Sequence, residues 1–294
     1  MSRPGEKGDV GVTLRPVVRF PEEGPPAPPE PDAVAVEEPL ELRIHGDSVA
    51  VTMRTPGHDR QLAVGFLFSE GLLHSVDDLG SLYPCGRPGE EGYANVLEVV
   101  PAPGVVLDVE RVAASRRGTL TTSACGVCGR RTVEDLLAVC PPLPPGPTLP
   151  ASVLARATER LRDVQRNFLR TGGVHAAAAS SREGSILAAF EDIGRHNAVD
   201  KVVGALVLEH GLRSARACAS VPATHPALLA VSGRASFEII QKAAMARIPV
   251  VASVSAASSL AIDLAQRVGV TLATFVRGGR FNVYTHPERV EAPE

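Results

Sequence analysis

Residues 228–276 read LLAVSGRASFEIIQKAAMARIPVVASVSAASSLAIDLAQRVGVTLATFV, and this stretch decides the fold. Its apolar runs at 228–231, 249–254 and 270–276 are strand-length. Between them, 235–246 and 258–268 carry apolar residues at helical spacing. Continuous apolar strands separated by helices predict a sheet that is mostly parallel in this stretch and covered on both faces. Upstream, 152–170 predicts one amphipathic helix, with Val153, Ala157, Leu161, Val164 and Phe168 on one side and Gly172 and Gly173 ending it. Strands follow at 174–179 and 186–191, joined by the turn Ser181-Arg182-Glu183-Gly184, and then a helix at 195–209 with Val199, Val202, Val203, Leu206 and Val207 as its buried stripe. The whole predicts a three-layer α/β domain over 151–294.

Two proline-rich stretches punctuate the chain. CPPLPPGPTLP at 140–150 predicts a stiff, extended connector, and PEEGPPAPPEP at 21–31 predicts a segment without a regular element. The first sets off a smaller N-terminal α+β domain, residues 1–139. There, 40–54 alternates around His45-Gly46-Asp47-Ser48 as a hairpin, 59–72 predicts a helix with Leu62, Phe66 and Leu67 on one side, and 96–100 and 105–109 predict short strands. The segment 116–131 lacks periodicity and predicts a loop.

Composition narrows the function classes. A chain of 294 residues with 44% hydrophobic residues, 4% aromatics and no Trp builds its core from Val, Ala and Leu. The net charge of −3 gives no electrostatic footprint for nucleic acid. No apolar run reaches the length of a membrane span, and the first residues lack the apolar segment of a secretory signal. Five cysteines, an odd number, predict cytosolic free thiols rather than a disulfide framework.

Two features carry chemistry. The first is SACGVCGR at 123–130, which places Cys125 and Cys128 in a Cys-x-x-Cys pair between Gly126 and Gly129 and ahead of Arg130 and Arg131. A free thiol titrates near 8.5, and neighbouring cations favour the nucleophilic thiolate. Three readings of the pair stand: sulfur carriage or thiol exchange on a loop, a structural zinc site, and a thioredoxin-like redox centre. Zinc needs four ligands, and no second pair or His-x₃₋₅-His follows. The redox centre needs the pair at a helix start after a strand. The second feature is a set of strand ends rich in small, hydroxyl and guanidinium residues: Ser232-Gly233-Arg234, Ser253-Val254-Ser255, Arg277-Gly278-Gly279-Arg280, and Asp192-Ile193-Gly194-Arg195-His196-Asn197. In open α/β sheets ligands bind beyond the carboxyl ends of strands, and these residue types suit an anion such as pyrophosphate. Ordinary turn and capping residues are the competing reading. His175 begins an apolar strand, and a satisfied buried histidine competes there. His196 and Asp200, four apart on the 195–209 helix, are candidates for an acid–base pair or a helix-end contact, as are Asn197 and Lys201. Cys85, Cys140 and Cys218 are isolated and read as incidental.

These residues resemble the formate dehydrogenase accessory sulfurtransferases over most of the chain. The resemblance lies in VEEPLELRIHG at 36–46, MRTPGHDRQLAVGFLFSEGLL at 53–73 and TTSACGVCGR at 121–130. It continues in GGVHAAA at 172–178, FEDIGRHNAVDKVVGAL at 190–206, the long run 232–265 and FVRGGRFNVYTH at 275–286. The resemblance implies a cytoplasmic homodimer that takes persulfide sulfur from a cysteine desulfurase. It implies delivery to the bis-molybdopterin guanine dinucleotide molybdenum cofactor of formate dehydrogenase. It makes Cys125 the persulfide carrier and Cys128 a helper or second carrier, and it puts cofactor binding on Phe275, Val276, Arg277, Gly278, Gly279 and Arg280. It also implies a C-terminal domain similar in fold to the cytidine deaminases. Deaminase chemistry is not implied, because His175 is followed by Ala176 and Ala177 where those enzymes need His-x-Glu, and the Cys-x-x-Cys lies upstream. The alternative reading is a non-catalytic cofactor chaperone whose cysteines sense redox state.

Overall fold

A computed structural model describes residues 11–87, 93–107, 142–146, 148–218 and 225–291. Strands β1 (Val12–Val17) and β2 (Glu30–Ala35) form an antiparallel ribbon. The strand β2 takes in Glu30 and Pro31, the end of the stretch expected to lack regular structure. Pro31 sits opposite Pro16, and a two-stranded ribbon tolerates this because both strands are edges. The expected hairpin is β3 (Glu38–Ile44) and β4 (Asp47–Arg54). Its two turn residues, His45 (φ 53°) and Gly46 (φ 83°), both take the left-handed conformation that a tight type I′ hairpin turn requires. Next come α1 (Asp59–Ser69), a short 3₁₀ turn (Val76–Asp78), β5 (Leu79–Pro84) and β6 (Val96–Pro101). The four strands order as β4-β3-β6-β5. Leu40, Leu42 and Ile44 alternate along β3 and are buried, Leu40 and Leu42 against Leu62 and Ala63 of α1. Residues 105–107 are not the expected strand: the chain turns at Gly104 (φ 82°), and Val105 N donates to Ala102 O at 3.0 Å. Residues 108 and 109 lie outside the described residues.

The C-terminal part contains β7 (Leu149–Pro150), α2 (Ala151–Asp163), α3 (Arg166–Thr171), β8 (His175–Ser180), β9 (Ile186–Asp192), α4 (Arg195–His210) and β10 (Leu228–Val231). It continues through α5 (Phe237–Met245), β11 (Val250–Ser253), α6 (Ser259–Val268), β12 (Thr271–Arg277), β13 (Arg280–Thr285) and β14 (Val290–Glu291). Six strands order as β13-β12-β11-β10-β8-β9, with β10, β11 and β12 parallel and the flanking pairs antiparallel. The period of two assigns each face. Ala176, Ala178, Leu228, Ala230, Val250 and Ala252 pack with Val153, Leu154, Ala157 and Leu161 of α2. Ala177, Ala179, Leu229, Val231 and Val251 pack with α4, α5 and α6. Burial on both faces is why these strands read as unbroken apolar runs.

The amphipathic stretch expected as one helix is two. It breaks at Val164 and Gln165, where Gln165 leaves helical geometry (φ −84°, ψ 64°). The cause lies outside the helix. The Glu191 carboxylate, at the end of β9, accepts from the backbone N–H groups of Asn167 and Phe168, both at 2.8 Å. It thereby caps α3 from across the fold. The proline-rich connector is tied down as well: Leu143 N donates to Val268 O at 2.9 Å, and the Arg289 guanidinium donates to Pro144 O at 2.8 Å and to Gly269 O.

The elements on either side of the connector share one core. Val64, Leu67 and Phe68 of α1 belong to the same buried cluster as Val199, Val202, Val203 and Leu206 of α4. The two helices touch backbone to backbone where Gly65 meets Gly204. A Cβ on Gly204 would stand 1.9 Å from Gln61 O, and one on Gly65 would stand 1.8 Å from Asp200 O. Such a contact forces the helices apart and opens the apolar cluster around them. Gly204→Ala is therefore expected to destabilise the protein by about 3 kcal/mol or more, at the upper end of overpacking costs. Urea unfolding of the variant checks this.

Candidate functional site

The sheet register gathers the strand ends. His175 pairs with Asp192, Ala177 with Val231, and Val231 with Ser253. This puts the start of β8 and the carboxyl ends of β9, β10, β11 and β12 on one edge. Facing that edge is a cleft of about 720 Å³. One wall is His175, Ser232, Val254, Val276, Arg277 and Gly278; the other is the α2–α3 junction, with Thr158, Glu159, Arg162, Gln165 and Phe168. Gly172, Gly173 and Val174 close one end.

Of the six residues Phe275, Val276, Arg277, Gly278, Gly279 and Arg280, three line the cleft. Gly278 (φ 55°) and Gly279 (φ 74°) form a two-residue turn between β12 and β13, which pairs Arg277 with Arg280. Both guanidinium groups are exposed. Arg277 and Gly278 face the cleft, whereas Arg280 and Gly279 lie outside its lining. Val276 is fully buried among the α2-facing residues, and its carbonyl accepts from Thr158 Oγ1 at 2.6 Å, so its contribution is backbone. Phe275 also lies outside the lining. Its φ of 51° is a left-handed conformation that aromatic residues rarely adopt, and it sits within the register shift between Thr274 and Arg277.

Several strand-end residues turn inward. Ser253 is fully buried, and its hydroxyl donates to backbone, being 2.7 Å from Gly233 O and 3.0 Å from Ser255 O. Ser232 Oγ accepts from Ala176 N at 2.9 Å, which leaves its proton for the cleft it lines. Asp192 forms a buried ion pair with Lys201 at 2.7 Å and accepts from Asn197 Nδ2 at 3.0 Å and Gly194 N at 2.9 Å. His196 and Asp200 do not pair. Asp200 takes Lys242 at 2.8 Å and Ser69 Oγ at 3.0 Å, while the helical spacing leaves His196 facing another element. Asn197 and Lys201 do not pair with each other either: both reach Asp192, and Asn197 also donates to Met53 O and Lys201 to Thr55 O.

His196 Nε2 stands 3.2 Å from Ser236 Oγ, 3.3 Å from Arg195 Nε and 3.5 Å from Glu238 Oε2. Burial, then the Lys242 charge, pull its titration down to about 4, against the opposing pull of Glu238. The ring is neutral at pH 7 and accepts from Arg195. His175 is also held below the usual histidine range, by burial and then by Arg195. The His175 ring and the Arg195 side chain flank Gly233, where a Cβ would meet His175 Nδ1 at 3.3 Å and Arg195 Cδ at 3.6 Å. The edge therefore offers neutral imidazoles beside the exposed guanidinium groups of Arg234 and Arg277, a setting for an anionic ligand that needs no proton from the protein.

The residues that sequence reasoning missed are those of the second wall: Glu159, Arg162, Gln165 and Phe168. They occupy the expected helix, and no glycine or proline marks the break that turns them to the cleft. Arg234 is exposed and, like Arg195 and His196, outside the cleft lining. Cys125, Cys128 and Cys140 lie outside the described residues. Cys85 and Cys218 are half-buried and form no disulfide among the described residues. No helix among the described residues is long and apolar enough to cross a membrane.

The profile of the FdhD/NarQ family matches residues 35–291. The chain is 56% identical over 259 residues to the sulfur carrier protein FdhD of Anaeromyxobacter dehalogenans, covering 88% of each chain. It is 46% identical over 269 residues to that of Streptomyces avermitilis, covering 88% of this chain and 89% of that one. It is 46% identical over 271 residues to that of Mycobacterium tuberculosis, covering 88% and 92%. Among solved structures, a candidate formate dehydrogenase accessory protein from Desulfotalea psychrophila superposes with a TM-score of 0.69 at 22% identity, covering 96% of this chain and all of that one. That likeness supports the fold.

The buried His196 has a consequence for stability. In the unfolded chain it protonates near pH 6.5, and in the fold at about 4. Between those values the unfolded state binds the proton and the folded state does not, so stability falls as pH falls. The contribution lost between pH 7 and pH 5 is about 2 kcal/mol. Urea unfolding at both pH values is expected to show His196→Asn losing less stability than the parent by roughly that amount.

Proposed function

The chain belongs to the FdhD/NarQ family, and on that footing we propose that it carries sulfur for formate dehydrogenase. It takes persulfide sulfur from a cysteine desulfurase and delivers it to the bis-molybdopterin guanine dinucleotide molybdenum cofactor, acting as a cytoplasmic homodimer. What carries this reading is identity of 56% to a sulfur carrier protein over 88% of the chain. That span brackets the Cys-x-x-Cys pair within the family match at 35–291.

The chemistry follows from the pair. The Cys125 thiolate attacks the outer sulfur of the donor persulfide. The donor S–S bond breaks, its cysteine leaves as a thiolate, and Cys125 holds the sulfur as a persulfide. That outer sulfur is at the sulfane oxidation level, whereas a metal-bound sulfide is two electrons more reduced. Attack of the Cys128 thiolate on the inner sulfur of Cys125 expels hydrosulfide and leaves a Cys125–Cys128 disulfide. The two cysteines thereby supply both electrons.

The cofactor enters as acceptor substrate. A cleft of about 720 Å³ is within the roughly 300–1,000 Å³ range of small-molecule sites, which suits one nucleotide arm. Arg162 and Arg277 suit its phosphates, Gly278 lets the backbone come close, and Ser232 offers a hydroxyl proton.

Mixing the protein with a cysteine desulfurase and L-cysteine is expected to add one sulfur atom to the peptide holding Cys125, read by mass spectrometry. Cys125→Ala removes that gain and abolishes formate dehydrogenase activity in cells, while guanine nucleotide binding persists. Full enzyme activity with Cys125→Ala overturns the carrier role. Replacing Arg277 and Arg280 together by Ala is expected to weaken GDP binding by roughly tenfold or more, the scale of losing a charge-assisted contact to phosphate. Unchanged affinity in titration calorimetry removes the turn from the site.

A further inference from the structure

The phosphate-suited residues sit mainly on the strand-end wall, and the opposite wall has a different chemistry. On the reading of the acceptor as a guanine dinucleotide, we propose that the α2–α3 junction reads the base, with Gln165 and Glu159 gripping its edge. Gln165 occupies the break between the two helices and is only 5% exposed, yet it lines the cleft. Among the described residues its carboxamide has no hydrogen-bond partner. Its polar atoms are not sealed from solvent, for Thr274 Oγ1 alone among the described residues is a buried side-chain polar atom without a partner. The open side of this amide is the cleft, so a ligand there completes it.

The chemistry of the partner follows from the chemistry of the amide. A carboxamide presents a donor and an acceptor side by side. Phosphate oxygens are acceptors and would leave Oε1 unanswered. A base edge offers both kinds of group, and a site built to hydrogen-bond discriminates strongly against ligands that lack the match. Gln165 alone fits more than one purine edge, since an amide also pairs with adenine. Glu159 supplies the choice. It lines the same wall, is exposed, and its carboxylate oxygens are acceptors. Guanine presents two adjacent N–H donors, at N1 and N2, whereas adenine presents a lone pair at N1. Phe168, the neighbouring lining residue, adds an aromatic surface of the kind on which bases stack.

Titration calorimetry of the full chain with GDP, IDP and ADP tests this. The parent is expected to bind GDP more tightly than ADP, with IDP between them because it lacks the N2 amino group. Glu159→Gln is expected to cost roughly tenfold in GDP affinity and to narrow the preference over ADP. Gln165→Leu lowers GDP affinity by a similar factor, whereas Arg277→Ala weakens GDP and ADP alike. Because Glu159 is exposed, its variant keeps the fold, and the test stands even if Gln165→Leu does not fold. Should the parent prefer GDP and both variants retain that affinity and preference, base reading by this wall is overturned while the cofactor reading survives. Should the parent bind no guanine nucleotide, the cofactor reading falls and this inference with it.

Discussion

The fold turns on the carboxylate of Asp192. It is fully buried at the end of β9, and donors from three parts of the chain converge on it: Lys201 and Asn197 of α4, Gly194 N before that helix, and Thr55 N at 3.2 Å from the segment leading into α1. Lys201 in turn donates to Thr55 O at 2.9 Å. Burying two charges is expensive, and a hydrophobic pair of the same volume is often as stable. What an apolar pair lacks is direction. The ionic pair can be satisfied in one arrangement, which sets the distance between β9, α4 and the N-terminal helix. The close approach of Gly65 and Gly204 is possible because that distance is fixed, and the Asp200–Lys242 pair repeats the device from the residue next to Lys201.

How much of this was legible depends on whether the signal was local. The runs at 228–276 announced their helices and parallel strands because double-faced burial leaves few polar residues in a strand. The His45-Gly46 turn announced its hairpin because few residues accept positive φ. The break between α2 and α3 left no mark, since a carboxylate 24 residues downstream in sequence makes it. The strand β13 was missed because it alternates half-buried and exposed residues at the sheet edge. β5 is mostly exposed and equally faint.

The candidate site divides along the same line. Strand ends share an edge for topological reasons, and the gathering of Ser232, Val254 and Arg277 followed from reading the alternation, whereas His175 joins them because β8 runs antiparallel to its neighbours. The strand end 192–197 reads as suited to an anion, and His196–Asp200 and Asn197–Lys201 as acid–base or helix-end pairs, but Asp192, Asn197, Asp200 and Lys201 spend their side chains inside the fold. A polar residue in a helix looks the same in sequence whether it faces a ligand or an internal counter-charge. The second wall was invisible because its residues are ordinary on a surface helix and gain meaning from the break.

The Glu191 cap adds one consequence. Glu191 and Asp192 are neighbours, one holding the start of α3 and the other the start of α4 and the N-terminal segment. The α3 wall of the cleft is therefore tied to the strand edge that forms the other wall, and drawing it back would strip Glu191 of its donors. The slot behaves as a fixed gauge: what enters must already match its width, and little of the binding free energy goes into reshaping the protein.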